Sequence, residues 1–357
     1  MIKILERYIV KGILAASLIV TLIVVGVLLL LSMLGELKNI GTGDYGLTQA
    51  LYYVLLRMPT QLYQFSPMLI LLGSIIGISV LSLHRELTIM RAAGFSVRRI
   101  IYSVFTAALM LIIAFTLLGE WLGPSLSSEA EIHKENAQNA GEAVVTSAGV
   151  WFHVDNNFIH VKQIVDRQLL EGVTRYQFDN AHRLQTAYYA KYLRFFQNRW
   201  RMEDVVKTTF YKDRTRSQSF ASLPFALKFN VNLLNIGLVE PDEMSLPKLS
   251  KLAHYLQSNG QQAAEYQFDF WKRVFQPLAS LIMVLLAIPF VLGSLTAGTM
   301  SWRILMGILT GFAFFILNAI LGQLSIVYQL PAIFAALIPL VFFAIVGIFL
   351  ARQMIRR

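Results

Sequence analysis

One short stretch, residues 83–99, concentrates charged side chains between two strongly apolar segments. It holds four arginines and a single carboxylate, Glu86, so we do not expect it to lie within lipid. Helical spacing places Glu86, Met90 and Ala93 on one side, and Gly94 suits the left-handed conformation that often ends a helix. The chemistry that this pattern predicts is docking through ion pairs and hydrogen bonds. A short helix held to the membrane at both ends can pass force from a cytosolic partner to two spans.

The same stretch has a plainer interpretation, as a solvated basic loop on the cytoplasmic side of a membrane protein. The single acid among bases, followed by a face of small residues, favours docking over this alternative. Arg85 and Arg91 are then candidates to pair with acids of the partner, beside Glu86.

Other residue patterns do not predict catalysis or cofactor binding. Residues 293–299 carry glycines at a suggestive spacing but lack the lysine that must follow the last glycine of a phosphate-binding loop. We therefore expect a cytosolic turn there and no ATP hydrolysis by this chain. His153 and His160 lie on adjacent candidate strands, but no cysteine or acidic pair accompanies them, so no metal site is expected. No spacing suggests a nucleophile with its base.

The elements that must position the 83–99 stretch are those of a membrane protein. Of the 357 residues, 56% are hydrophobic and 15% are charged, with a mean hydropathy of +0.56, whereas soluble domains average about 25% charged residues. The formal net charge is +10. Because the bases flank apolar segments, membrane topology and anionic lipid explain this charge better than nucleic acid does. The chain has no cysteine and so no disulfide, and its first apolar run is too long for a cleavable signal peptide.

Six apolar segments are each long enough to cross a hydrocarbon core of roughly 30 Å. They cover about residues 12–34, 62–82, 100–122, 274–296, 303–325 and 331–351. With six spans both termini lie on one side of the membrane, together with the basic 83–99 stretch and the final arginines. The positive-inside rule identifies that side as the cytoplasm.

Residues 125–265 differ in kind, because charged residues are frequent and no apolar run is long enough to span. Residues 150–154 and 158–161 alternate as half-buried strands do, on either side of a turn at 155–157. Further candidate strands are 173–178, 187–196, 199–202, 204–211 and 226–231. Short strands with close turns predict an all-β sandwich, jelly roll or open barrel.

The predicted fold is therefore membrane α-helical with an inserted all-β domain. An N-terminal transmembrane half (1–124) precedes the β domain (125–265), which ends in a helix from about Ser245 to Gly260, and a C-terminal transmembrane half (266–357) follows. The topology places the β domain outside the cytoplasm.

Four cations lie near the outer ends of spans, where the positive-inside rule predicts few bases: Lys38, Arg57, Lys272 and Arg273. Each one alone could be an anchor that extends to the outer interface. As a group they predict a positive collar that attracts an anionic, phosphate-bearing lipid headgroup.

Two further features lie in or near the spans. Glu120, at the outer end of the third span, is costly in lipid, so we expect it to pair with a cation or to cap a helix. Bulky aromatic side chains are candidates for the walls of an acyl-chain cavity, with ordinary packing as the alternative: Phe65, Phe312, Phe314 and Phe315.

The pattern Glu86-Leu87-x-x-Met90-x-Ala92-x-Gly94 resembles the coupling helix of the lipopolysaccharide export permeases (LptF/LptG). Other stretches that match the family are Leu5-Glu6-Arg7-Tyr8-Ile9, Gly119-Glu120-Trp121-Leu122-Gly123-Pro124, and Tyr266-Gln267 with Trp271 and Gln276-Pro277. They are spread over most of the chain, and the last two resemble the LptG branch more than the LptF branch.

This resemblance implies a permease subunit of an ABC transporter in the bacterial inner membrane, with its β domain, a jelly roll, in the periplasm. Its partners would be an LptF-like second permease, two copies of the ATPase LptB, which would use ATP and Mg²⁺, and a bridge of LptC and LptA. Lipopolysaccharide would enter from the outer leaflet of that membrane. The resemblance also implies that Glu86, Arg85, Met90, Arg91 and Gly94 serve the coupling to the ATPase.

The resemblance places Lys38 at a position whose lysine meets the lipid A phosphates. Ser32 and Asn39 stand where relatives can carry further lysines, and Arg57 is a candidate to compensate for them.

Two other functions remain open from the residues. One is a sensory or mechanotransmitting membrane protein whose external domain signals through the 83–99 helix. The other is a membrane enzyme acting on lipid, although no catalytic constellation supports it. Copurification distinguishes a permease, which brings down an ATPase and a second six-span chain, from a sensor, which recruits a signalling domain.

Overall fold

The computed structural model describes residues 2–138, 143–146, 149–154, 156–166, 169–179, 183–196, 199–211, 213–225, 240–258, 263–292, 299–328 and 330–355. Among these residues, six helices are long and apolar enough to cross a membrane. A sheet domain lies between the third and the fourth of them along the chain. The predicted fold class, six spans with an inserted all-β domain, is confirmed.

The helices are α1 (Ile2–Glu36), α2 (Leu47–Leu83), α3 (Glu86–Ala92), α4 (Val97–Leu117), α5 (Gly123–Gln138), α6 (Leu246–Ser258), α7 (Ala264–Leu292), α8 (Met300–Tyr328) and α9 (Ala332–Ile355). The strands are β1 (Ala143–Thr146), β2 (Gly149–Val154), β3 (Asn157–Asp166), β4 (Leu169–Phe178), β5 (Leu184–Phe196), β6 (Arg199–Phe210) and β7 (Thr215–Phe225). The predicted strand at 226–231, the helix end at Gly260 and most of the 293–299 turn lie outside the described residues.

Helix α2 begins at Leu47, well before the apolar span predicted from residue 62, and it continues through Pro67. A proline cannot donate the hydrogen bond to the carbonyl four residues earlier, which here belongs to Tyr63. The side chain of Gln276 on α7 supplies the missing donor: its Nε2 lies 2.9 Å from the Tyr63 carbonyl oxygen and 3.0 Å from that of Gln64. The proline is therefore tolerated because a neighbouring helix satisfies the backbone group that it leaves without a partner.

The third span does not end at Gly123-Pro124, where the sequence suggested. Leu118–Leu122 form a π-helical turn, and α5 continues from it to Gln138. Pro124 lies in the first turn of α5, where a missing N–H is best tolerated. The first part of the region predicted as all-β is therefore helical, since residues 123–138 contain strong helix formers such as Glu, Ala and Lys rather than β-branched residues.

Residues 1–31, 57–125 and 241–357 form one compact unit, the membrane unit. Its core is built from α1, α2, α3, α4, α7 and α9. Helices α1 and α2 approach closely at Gly73 and Gly77, where an added Cβ would lie 2.1 Å from Ser17 Oγ and 2.8 Å from Ile13 Cα. These contacts require glycine, as helix packing in lipid often does.

Helix α8 joins the membrane unit differently. Its buried residues are Gly307, Gly311, Gly322 and Ser325, and the three glycines face Ile75, Met68 and Phe268 respectively. The large side chains of α8, such as Phe312 and Ile316, are exposed. This distribution suits a helix that faces lipid or a partner over most of its circumference.

Residues 32–56 and 126–240 form the second unit, the sheet unit. Its seven strands pair antiparallel in chain order, β1 to β7, without a crossover among the described strands. One face carries the core, which includes Val150, Ile159, Val173 and Trp200. The alternation seen in residues 150–154 and 158–161 corresponds to β2 and β3, which pair as predicted.

The buried face of this sheet switches along the strands. On each of four strands two successive buried residues are three positions apart, whereas side chains on one face of a regular strand are two apart. These pairs are Val161 and Ile164 on β3, Leu170 and Val173 on β4, Ala190 and Leu193 on β5, and Met202 and Val205 on β6. At the switch, Gly172 has φ +65° and Asp204 has φ +52°. The four strands change face together, so both halves of the sheet contribute to one core.

Candidate functional site

The helix between the second and third spans is α3, in the middle of the predicted 83–99 stretch. It is separated from α2 by His84 and Arg85, and Arg85 has φ 56° and ψ 12°, a left-handed conformation that is uncommon for a residue other than glycine. This turn interrupts the helix, so α3 is a separate short helix rather than the end of α2.

The end of α3 confirms the prediction for Gly94, whose φ is +87°. The Phe95 N–H donates to the Met90 carbonyl at 2.9 Å, and the Gly94 N–H donates to the Arg91 carbonyl at 3.0 Å. This pair of bonds is the Schellman motif, which normally includes an apolar contact between the two ends of the longer bond. Phe95 and Met90 are both buried in the core of the membrane unit, so α3 is fixed to that unit by its last turn.

The side chains of α3 divide into two sets. Met90 is 7% exposed and packs into the core, because the last turn of α3 is anchored inward. Arg85 and Arg91 are exposed, together with Ile89, which is 65% exposed. Sequence reasoning missed Ile89, although an isoleucine among polar residues was the available signal.

Glu86 is the acid at the first turn of α3. The Tyr8 hydroxyl is hydrogen-bonded to this carboxylate, whose Oε1 lies 3.8 Å from His84 Nδ1. The Oε2 atom is buried and has no hydrogen-bond donor among the described residues. A buried carboxylate oxygen normally has a donor. The carboxylate is therefore placed to accept a hydrogen bond from a group outside the described chain.

Three of the four predicted collar cations are engaged by groups of this chain. Arg57 forms an ion pair with Glu243, and Lys272 lies 3.4 Å from Asp269 on the same helix. Arg273 is 6% exposed and its guanidinium is engaged by groups of this chain. Glu243 and Glu120 lie far along the sequence from Arg57 and Arg273, so those two pairs were not visible from the charge pattern. Asp269 and Lys272, in contrast, are three residues apart on α7.

Arg273 and Glu120 confirm the expectation that Glu120 pairs with a cation. Arg273 Nε lies 2.6 Å from Glu120 Oε1, and its Nη2 lies 2.6 Å from the Gly119 carbonyl oxygen. Its Nη1 donates to the Met244 carbonyl. The Arg273 guanidinium also lies over the Tyr63 ring, 5.4 Å from the centroid.

Lys38 is exposed and lies on a short 3₁₀ turn, Leu37–Asn39. The turn is fixed by its neighbour Glu36, whose carboxylate accepts from Lys134 at 2.9 Å, Asn39 at 2.9 Å and Tyr45 at 3.1 Å. Burial and the Glu36 carboxylate raise the pKa of the Tyr45 phenol, which keeps it a hydrogen-bond donor. Among the described residues no ion pair is formed by Lys38, so its ammonium is available to an anion.

The aromatic residues proposed for an acyl-chain wall are partly assembled. A cleft of about 140 Å³ within the membrane unit is lined by residues of α2, α7, α8 and α9, including Phe314, Phe315 and Lys272. Phe315 stacks on Phe65 with ring centroids 5.1 Å apart. Phe312 does not line this cleft and is 55% exposed.

The fold and these sites define a class: a polytopic membrane protein with an antiparallel sheet inserted between its third and fourth spans and a short surface helix between its second and third. Residues 7–353 match the family model of the lipopolysaccharide export system permease LptF/LptG. The chain belongs to this family.

Two relatives sharpen the assignment within the family. The chain is 32% identical over 353 residues to the lipopolysaccharide export system permease protein LptG of Escherichia coli K12, covering 97% of each chain. It is 32% identical over 347 residues to the protein of the same name from Haemophilus influenzae, again covering 97% of each. The predicted resemblance to the family, and to its LptG branch, is confirmed.

Proposed function

We propose that this chain is the LptG-side permease subunit of an ABC transporter that extracts lipopolysaccharide from the outer leaflet of the bacterial inner membrane. The observation that carries the proposal is the similarity to LptG relatives over 97% of the chain. The six spans and the inserted sheet domain support it. A sensory role is not favoured, because the relatives that this chain resembles over nearly its whole length are named export permeases.

The ATPase partner is proposed to be LptB, in two copies, with ATP and Mg²⁺ bound there rather than on this chain. The sequence carries no complete phosphate-binding loop. Helix α3 supports docking of the ATPase, because Glu86 Oε2 accepts no hydrogen bond from the described residues. The exposed side chains of α3 and the turn before it include Ile89, Arg85 and Arg91. Met90 and Gly94 fix α3 to the spans, so that a displacement of the ATPase is passed on.

The lipid is proposed to meet two kinds of surface. Lys38 would attract a phosphate of the headgroup, whereas Arg57 and Arg273 are engaged in the chain's own contacts, and Lys272 is partly neutralised by Asp269. Phe65 and Phe315 would contact acyl chains, and the exposed Phe312 would face lipid or the second permease. Removing acyl chains from the bilayer costs about 0.8 kcal/mol per CH₂, so an external energy source is required.

The second permease is proposed to be LptF-like, and the sheet unit to lie in the periplasm and deliver lipid to LptC and LptA. Both termini would lie in the cytoplasm. The basic 83–99 stretch supports this orientation through the positive-inside rule.

The test is purification of the tagged chain in mild detergent, with mass spectrometry of the bound proteins and lipid. We expect an ATPase, a second six-span chain and lipopolysaccharide. Reconstituted vesicles should then release lipopolysaccharide only with ATP. A chain that is fully active alone, or that copurifies with a signalling protein instead, would contradict the proposal.

A further inference from the structure

The chain passes between the membrane unit and the sheet unit four times, after residues 31, 56, 125 and 240, and the last two of these passages lead to and from the strands. The outgoing connection is the π-helical turn Leu118–Leu122, which leads through α5 to β1. The return connection includes the 3₁₀ turn Pro241–Glu243 and Met244, which precede α6 and α7. Together with the passages after residues 31 and 56, these two connections are the paths along the chain by which a displacement in the spans can reach the sheet unit.

Arg273 on α7 binds both connections with one side chain. Its Nε and Nη2 contact Glu120 Oε1 and the Gly119 carbonyl oxygen on the outgoing side, each at 2.6 Å, and its Nη1 donates to the Met244 carbonyl on the return side. The planar guanidinium presents five N–H donors in a fixed arrangement. A lysine has one ammonium and cannot hold three acceptors in these directions.

The packing around Arg273 fixes its partners in place. An added Cβ on Gly119 would lie 2.1 Å from Tyr63 Cγ, so only glycine allows this approach of the π-helical turn to α2. Tyr63 in turn donates its hydroxyl to the Arg273 carbonyl at 3.3 Å. π-helical turns inside helices are frequent at functional sites, and here the turn presents both Glu120 and the Gly119 carbonyl to one arginine.

The return connection has two further contacts to α2. Gln64 Nε2 donates to Asp242 Oδ2 at 2.9 Å, and Arg57 pairs with Glu243. Three successive residues, Asp242, Glu243 and Met244, are therefore held by α2 and α7. The contacts of Arg273 also reach the outgoing connection.

Building on the proposed function, we propose that Arg273 is a positioning residue that makes both connections move with α7, so that rearrangement of the spans is transmitted to the sheet unit when lipid is handed over to it. The contribution of Arg273 is to the hand-over and not to extraction. Losing it should leave ATP hydrolysis and lipid entry in place while lipid fails to arrive on the sheet.

The experiment uses the complete ATPase–permease complex with Arg273→Lys, and photo-crosslinking amino acids introduced separately at Phe315 in the cleft and at Tyr188 and Tyr189, which lie on opposite faces of β5. ATPase activity and lipid adducts at Phe315 should stay within about twofold of those of the parent complex. Of the two positions on β5, the one that gives more lipid adduct in the parent should give about tenfold less with Arg273→Lys, which is the size of a typical coupling between sites. Glu120→Gln, which keeps the two carbonyl contacts, should show a smaller loss of the same kind. Arg183→Gln, which removes an exposed pair with Asp179, is the matched control and should change none of the signals.

The proposal would be overturned if Arg273→Lys reduced the lipid adducts equally at Phe315 and on β5, or did not reduce those on β5. If the parent gives no lipid adduct anywhere, the proposed function fails, and a second measurement then decides the positioning role. Because the chain has no cysteine, spin labels can be placed at Ile345→Cys and Tyr189→Cys. Arg273→Lys should broaden the label-to-label distance distribution, and an unchanged distribution would again overturn the role of Arg273.

Discussion

The arginines of the membrane unit fall into two groups with opposite surroundings. Those of the 83–99 stretch, including Arg85 and Arg91, are exposed. Arg57 and Arg273 are largely buried and are paired with Glu243 and Glu120. An exposed ion contributes little to stability but is free to meet a partner, whereas removing one member of a buried pair destabilises the fold. The difference teaches that the number of bases near a span does not show which of them are available to a ligand.

The largest expected effect is that of Glu120→Leu, because it leaves the Arg273 guanidinium buried without its carboxylate. We expect a loss of about 3–5 kcal/mol in the free energy of unfolding, measured as reduced thermal stability and yield of the complex. The matched control is Glu203→Leu, which removes the partner of Arg194 at a partly exposed pair and should cost at most about 1 kcal/mol. Equal effects of the two changes would remove the distinction between the groups.

The second largest effect is expected for Glu86→Ala, in the 83–99 stretch with the exposed arginines. We expect normal stability of the isolated chain but about tenfold weaker retention of the ATPase or about tenfold less transport per ATP, since coupling energies between sites are commonly of this size. Thr88→Ala, an exposed change on the same short helix, is the control. Undiminished transport by Glu86→Ala would argue against its role in docking.

A smaller effect is expected for Lys38→Glu, which reverses the charge of the one predicted collar cation without a described ion pair. Stimulation of the ATPase by lipopolysaccharide should fall severalfold, because a phosphate would be repelled rather than attracted, while thermal stability is unchanged. Arg57→Gln should do the reverse, lowering stability through loss of its pair with Glu243. A stability loss with Lys38→Glu would contradict this assignment.

The smallest effect is expected for Gly94→Ala. Its φ of +87° is strained for alanine, at a cost of roughly 1–2 kcal/mol. Because the Schellman bonds join Gly94 and Phe95 to the last turn of α3, the strain should appear as faster hydrogen exchange in residues 86–95. Gly46→Ala, at a glycine without a positive φ, should leave that exchange unchanged.

The class of fold followed from the sequence because apolar length and alternation are properties of consecutive residues. Gly94 was predictable for the same reason, since its conformation is set by the turn that precedes it. Glu120 was predicted to need a partner, but Arg273 lies 153 positions away, and only the packing of α4 against α7 identifies it. The collar of cations stays a prediction, and the acids that pair with three of its members are supplied by tertiary structure or by a helical turn.

Two local features of the structure were also not predicted from the sequence. The continuation of the third span into α5 depends on a π-helical turn that has no simple periodicity, and it occurs at Gly123-Pro124, residues that normally indicate an end. The face switch of the sheet depends on positive φ angles at Gly172 and at Asp204. Gly172 could have been suspected from its residue type, whereas aspartate adopts this conformation too rarely to be predicted from sequence alone.

The glycine contacts of α8 have a consequence for how the bundle can open. Separating α8 from α2 and α7 would withdraw Ile75, Met68 and Phe268 from the backbone at Gly307, Gly311 and Gly322 and would break the Phe65–Phe315 stack. Many large side chains of α8 would keep their surroundings, because they are already exposed. Displacing α8 therefore uncovers less apolar surface than displacing a helix that is buried on all sides.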